Sequence, residues 1–155
     1  FRMLTHQQAL ILGNSHSSSN QPPSAGEPPQ KRYSLVMRVE LQLAPEVTRT
    51  LRLSQNNRFL VGRSDGQDED GEETGTDLML DLGPYNGADS GVSRIHAAFS
   101  YREGIVYLED LNSTNGTRIN GLRLNPNQLY RLREGDDLEF GSARVILNRF
   151  IVPTV

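Results

Sequence analysis

The sequence predicts an all-β fold, a two-sheet sandwich, and three observations carry that prediction. From residue 34 onward apolar and polar residues alternate with a period of two, and no stretch there holds a 3.6-residue period. Turn signals recur at close intervals between the alternating runs, at Gly104, Asn115-Gly116, Asn120-Gly121 and Gly135-Asp136. About ten short strands without helices is the pattern of two sheets packed face to face, with the connecting loops gathered at the two ends.

The elements follow in order. Residues 1–12 are mildly apolar and carry no functional signal, and residues 13–30 crowd serine, proline, glycine and asparagine together. Such a composition buries too little apolar surface to offset its ordering entropy, so residues 1–33 are expected to be a flexible tail or linker, disordered in isolation, and residues 34–155 the folded domain. Leu35-Val36-Met37-Arg38-Val39-Glu40-Leu41-Gln42-Leu43 alternates over its whole length and reads as a half-buried strand; 48–53 does the same after the break at Pro45. Further strands are expected at 58–63, 78–82, 97–101, 105–110, 117–120, 128–133, 137–140 and 144–152.

Composition narrows the function. The 155 residues contain no cysteine and three scattered histidines, which excludes disulfides and thiolate metal sites and leaves no histidine spacing suited to zinc. Six of the 19 carboxylates (Asp65, Asp68, Glu69, Asp70, Glu72, Glu73) lie in one short loop, so the rest of the chain is near neutral despite a net charge of −3. That balance argues against a general electrostatic grip on nucleic acid. No apolar run approaches the roughly 18 residues of a membrane helix. The first residue, Phe1, is what a piece of a longer chain would show.

Three short stretches carry chemistry. Gly91-Val92-Ser93-Arg94-Ile95-His96 offers a hydroxyl, a guanidinium and an imidazole, Phe59-Leu60-Val61-Gly62-Arg63 delivers an arginine at a strand end, and Asn112-Ser113-Thr114-Asn115-Gly116-Thr117 repeats the donor chemistry in neutral form. Converging on one spot, they would suit a phosphate better than a metal. Asn115 is also read as the first residue of a type I′ hairpin, a position asparagine favours on backbone grounds. A hydrolase built on Ser93 and His96 is disfavoured, because no Gly-x-Ser-x-Gly elbow presents the serine as a nucleophile.

In order and spacing, Val61-Gly62-Arg63-Ser64, Val92-Ser93-Arg94-Ile95-His96-Ala97 and Asn112-Ser113-Thr114-Asn115-Gly116-Thr117-Arg118-Ile119-Asn120-Gly121 resemble the successive motifs of the forkhead-associated (FHA) domain, over about residues 34–152. The resemblance implies an eleven-stranded β-sandwich of the SMAD-FHA type whose loops at one end bind phosphothreonine peptides. It implies a non-enzymatic module, without cofactor, for phosphorylation-dependent protein-protein interaction in kinase signalling. By motif, Arg63 and Ser93 would hold the phosphate, Arg94 would touch phosphate or peptide backbone, and Thr114 and Asn115 would hold the peptide. Gly62, His96 and Gly116 would support the site structurally, and a recess for the threonine methyl would lie near residues 114–117. Gly91 departs from members that carry a side chain there to read the ligand further along. The expected partner is a phosphothreonine-containing protein or peptide, with no nucleic acid and no membrane segment. The chain is expected to be intracellular, cytoplasmic or nuclear, and a monomer or weakly self-associating. A phosphate-independent assembly domain of the same family is the alternative. The acidic loop is expected to repel a dianion, so that salt would raise the affinity or reduce it less than usual; the favoured reading of the loop is a solvated insertion, and the alternative is that phosphorylation of Thr74 would make it compete for the site or bind a neighbouring molecule.

Overall fold

A computed structural model describes residues 34–55, 57–64 and 79–152. The tail expected over 1–33 and the acidic loop with Thr74 and Thr76 lie outside the described residues. Among the described residues eleven strands form two sheets. In the first, β2 (Val47–Ser54), β1 (Val36–Ala44), β11 (Ala143–Ile151), β10 (Asp137–Phe140), β7 (Thr117–Ile119) and β8 (Leu122–Arg123) lie side by side in that order. In the second the order is β4 (Met79–Asp81), β3 (Phe59–Gly62), β5 (Ala97–Arg102), β6 (Ile105–Asp110) and β9 (Tyr130–Arg131). Among the described residues only the β3–β4 pair is parallel. A 3-10 turn, Gly83–Tyr85, follows β4, with Pro84 at a position where its missing N–H costs nothing.

Alternation places the core. Met37, Val39 and Leu41 of β1 point inward, with Leu53 and Leu51 of β2 opposite Met37 and Val39, while Arg38 and Glu40 face out. From the second sheet Phe59, Val61, Ala97, Phe99, Tyr101, Val106 and Leu108 close on the same interior. Burying a side chain of this size contributes about 1.5–3 kcal/mol. The shared core fixes the strand ends, and so the loops, relative to one another.

Turn chemistry behaves as anticipated at two places and differently at a third. Asn120-Gly121, with φ of 51° and 82°, joins β7 to β8, and Glu103-Gly104, at 49° and 81°, joins β5 to β6; both are two-residue hairpins with the left-handed pair such turns require. Asn115-Gly116 is not a hairpin. It links β6 to β7, which belong to different sheets, and only Gly116 has positive φ. The Asn-Gly signal there marks a crossing between sheets at the loop end. The short β8 had no periodicity to reveal it, and the run at 128–133 pairs only through Tyr130–Arg131.

Candidate functional site

Arg63 leaves the end of β3 half-buried, and its Nε donates to the Val92 carbonyl at 2.7 Å. The residues before and after it are fixed. Leu82 N donates to Gly62 O at 2.8 Å, and the Asp81 carboxylate accepts from Ser64 N at 2.9 Å, from Ser64 Oγ and from Gly83 N at 2.8 Å. Gly62 is glycine for a steric reason: the Arg94 carbonyl lies against its Cα, and an added Cβ would overlap that oxygen and sit 2.7 Å from its carbon. Arg94 itself is exposed.

The turn from Ser93 to His96 is wound around the imidazole. Ser93 N donates to His96 Nδ1 at 3.0 Å, so the ring proton is on Nε2, which donates to Gly116 O at 2.9 Å. His96 N donates to Val61 O at 2.8 Å, and the fully buried ring meets Phe140 edge to face with centroids 5.7 Å apart. Both ring nitrogens are engaged with backbone, and neither is placed to take a proton from Ser93 Oγ. His96 thus ties the Ser93 turn to the Gly116 loop through both ring nitrogens, and the serine-histidine hydrolase finds no dyad here.

The third loop docks on the second. Thr114 N donates to Ser93 Oγ at 3.1 Å, which uses an oxygen lone pair and keeps the hydroxyl proton for donation elsewhere. Asn115 Nδ2 donates to Gly91 O at 2.9 Å, keeping its carbonyl oxygen and second N–H for other partners. Gly91 has φ of +75°, and a Cβ there would overlap Asn115 Nδ2 and come within 3.2 Å of its Cγ. The glycine that offers no side chain to a ligand is what lets Asn115 approach. Arg63, Ser93, Thr114 and Asn115, spread over some fifty positions of chain, are thus drawn to one end of the sandwich by direct hydrogen bonds between their loops.

The family model for the FHA domain matches residues 59–141, more than half of the chain. The chain belongs to the FHA domain family. A solved structure from work on phosphothreonine-dependent FHA domain interactions is 31% identical, with 76% of this chain and 99% of that chain covered and a TM-score of 0.50. Yeast Pml1p, 20% identical with 75% of this chain and 82% of its own covered at a TM-score of 0.53, shares the fold. Among curated proteins, FraH of Nostoc sp. is 42% identical over 55 residues, covering 36% of this chain and 19% of FraH. FhaA of Mycobacterium tuberculosis is 39% identical over 59 residues, 38% of this chain and 11% of FhaA. The matched part of the FHA domain therefore spans a fifth or less of these relatives.

Sequence reasoning missed the residue that organises the third loop. Asp110, 2% exposed at the end of β6, accepts from Ser113 N at 3.2 Å, from Ser113 Oγ and from Thr117 Oγ1 at 2.7 Å, and Ser113 Oγ accepts Gly116 N at 3.0 Å. The spacing of an aspartate three residues before a serine was the available signal, a side chain closing a turn on backbone and hydroxyl. Thr117, expected near the walls of a methyl recess, is fully buried with its hydroxyl on Asp110. Asp110→Ala leaves Thr117 Oγ1 buried without its partner and is expected to lower stability by about 2–4 kcal/mol in a urea titration. An unchanged midpoint would remove Asp110 from this role.

Burial pushes the His96 imidazole below its ordinary 6.5, against the opposing influence of the Gly116 bond and the Asp110 charge. The folded state therefore binds this proton less readily than the unfolded chain, and stability rises with pH across the window. His96 contributes fully above pH 6.5, and that contribution falls as pH drops from 6.5 toward the lower folded-state value. Asp81 acts further down. Burial raises it, but the bonds from Ser64 Oγ, Ser64 N and Gly83 N together outweigh burial and hold it below 3.8, so its contribution is lost as pH falls through that lower value. Urea midpoints of the free domain measured from pH 7.5 to 5 should fall, and His96→Gln should flatten the slope. A slope unaltered by H96Q would show that another group is responsible.

Proposed function

We propose that this FHA domain is a phosphothreonine-peptide recognition module, with the binding unit within residues 34–155. The observation that carries the reading is the meeting of Arg63, the Ser93 turn and the loop of Thr114 and Asn115 at one end of the sandwich. There a half-buried guanidinium and a hydroxyl with a free proton complement a group of roughly −2 charge, and charge-assisted hydrogen bonds of this kind are about twice as strong as neutral ones. Arg94, exposed beside them, takes phosphate or peptide backbone. The Asn115 amide, already anchored on Gly91, presents a donor and an acceptor to an extended main chain, which holds a peptide without reading its sequence. Gly62, His96 and Gly116 keep the loops in register.

The work on a 31% identical domain concerned phosphothreonine-dependent interactions, which supports the same ligand class here. A single charged anchor in a small interface corresponds to about micromolar affinity, near −8 kcal/mol. The module acts by recruiting a phosphorylated protein in a kinase pathway, and its mechanism needs no proton transfer or covalent step. Calorimetric titration with a phosphothreonine peptide and its unphosphorylated twin tests the reading. Binding of the phosphorylated form alone is expected; equal binding of both would favour the phosphate-independent assembly role.

A further inference from the structure

The second sheet turns one face to the core and the other outward, and strand register sets the outward side chains in rows. Arg58, one residue before Phe59, flanks Ser100, one residue after its partner Phe99. Ser100 stands opposite Tyr107, and Tyr107 opposite Arg131. In the next row Arg102 is opposite Ile105, and Arg133 follows two residues beyond Arg131. Arg102 lies five residues along β5 from Ala97, so these rows are about 16–17 Å from the loop end at their far side.

The face is basic. Arg58, Arg102, Arg131 and Arg133 are exposed, and Ile105 and Tyr107 between them are half-buried. Of the acids on the same strands, Glu109 is held by Arg58, and Asp81, at the loop end, by Ser64 and Gly83. Glu134 accepts from Phe150 N at 2.9 Å, which leaves Glu103 at the hairpin tip as the nearby carboxylate beside Arg102. Among the described residues no side chain pairs with the guanidinium groups of Arg102, Arg131 and Arg133.

A second observation falls in the same rows. Ser100 is 4% exposed, and among the described residues its Oγ is a buried side-chain oxygen with no hydrogen-bond partner. Buried polar atoms nearly always have partners, and a hydroxyl without one destabilises the fold. Alanine, which the strand carries two residues earlier at Ala98, would avoid that cost.

We propose that the outer face of the second sheet is a docking surface for an acidic, extended segment of a partner protein, with its carboxylates on Arg102, Arg131 and Arg133 and on the Ser100 hydroxyl between Arg58 and Tyr107. Every second side chain of an extended segment points the same way at about 6.5–7 Å intervals, the separation of Arg131 and Arg133 along their own chain. Each guanidinium offers a carboxylate two parallel hydrogen bonds. Tyr107 is the single aromatic ring among these outward residues, so the face lacks the series of rings on which single-stranded nucleic acid stacks. Occupation leaves the loop end open, and the domain can hold two partners, or two parts of one, together.

The test titrates a fluorescein-labelled oligoglutamate peptide with the full chain at low salt and follows anisotropy. Binding is expected, weakening as salt rises. Arg102→Glu with Arg131→Glu should reduce affinity about tenfold or more. Arg38→Glu with Arg52→Glu, the same charge change on opposed residues of the first sheet, should alter it less than about twofold. Ser100→Ala should weaken binding without lowering the urea midpoint, and circular dichroism of every variant checks the fold. Absence of binding, equal losses in the two double variants, or displacement of oligoglutamate by a phosphothreonine peptide overturns the inference. So does tighter binding of a single-stranded oligonucleotide at the same arginines, which would make the ligand a nucleic acid, or self-association lost in the Arg102 and Arg131 variant, which would make it a second copy. None of these outcomes depends on the phosphothreonine reading.

Discussion

Arg63→Ala is expected to weaken binding of a phosphothreonine peptide at least tenfold, and about a hundredfold or more if the guanidinium makes two parallel bonds to phosphate. A charge-assisted hydrogen bond contributes about 1.5–3 kcal/mol, and about 1.4 kcal/mol is one decade of affinity. The side chain is half-buried and its Nε is committed to Val92 O at 2.7 Å, so the fork is oriented before any ligand arrives. Preorganisation of this kind reduces the ordering cost of binding. Arg63→Lys keeps the charge but loses both the Val92 bond and the planar fork, and should recover only part of the affinity. Ser93→Ala should also cost tenfold or more, because it removes the hydroxyl donor and the acceptor on which Thr114 N docks. Calorimetry beside circular dichroism of the same samples checks these results. A variant that keeps the fold and binds like the parent chain would take that residue out of the site.

Gly62→Ala should have the largest effect on the fold near the site. An added Cβ meets two backbone atoms of Arg94, the carbonyl oxygen and the carbon at 2.7 Å, and Met79 Cε at 3.1 Å. Backbone cannot rotate out of the way as a side-chain tip can, so the loop from Ser93 to His96 must move or β3 must bend. Overpacking of this kind costs about 1–3 kcal/mol and more where backbone is displaced. The moved loop carries Ser93, so affinity should fall by more than stability alone explains. Gly121→Ala is the control: nothing lies within 4 Å, and with φ of +82° its cost is conformational, about 1 kcal/mol. Urea titration of the two variants separates the effects. Comparable losses for both would mean that the approach of Arg94 to Gly62 is not what requires the glycine.

Much of this was legible in the letters, for physical reasons that particular residues show. The alternation of Met37, Val39 and Leu41 with Arg38 and Glu40 follows from a strand with one face on a core, and the sheet keeps that alternation. Asn120-Gly121 adopts the backbone its composition favours. Asn115-Gly116 was misread as a hairpin because the same dipeptide serves a crossing between sheets, a fact of topology that no local pattern contains. Arg63 and Ser93 stood out as chemistry, whereas Asp81 and Asp110 did not, since their work is to accept hydrogen bonds from loops distant in sequence or closed on themselves. Gly91 was legible as a missing side chain but not as the space Asn115 fills.

The most direct test is a nuclear magnetic resonance titration of the chain, following backbone and side-chain amides as phosphothreonine peptide is added. The account predicts shifts concentrated at Arg63, Ser93, Thr114 and the Asn115 amide, with none from the unphosphorylated peptide. Shifts of equal size from both peptides, or shifts spread over an outer sheet face with those four residues silent, would contradict it.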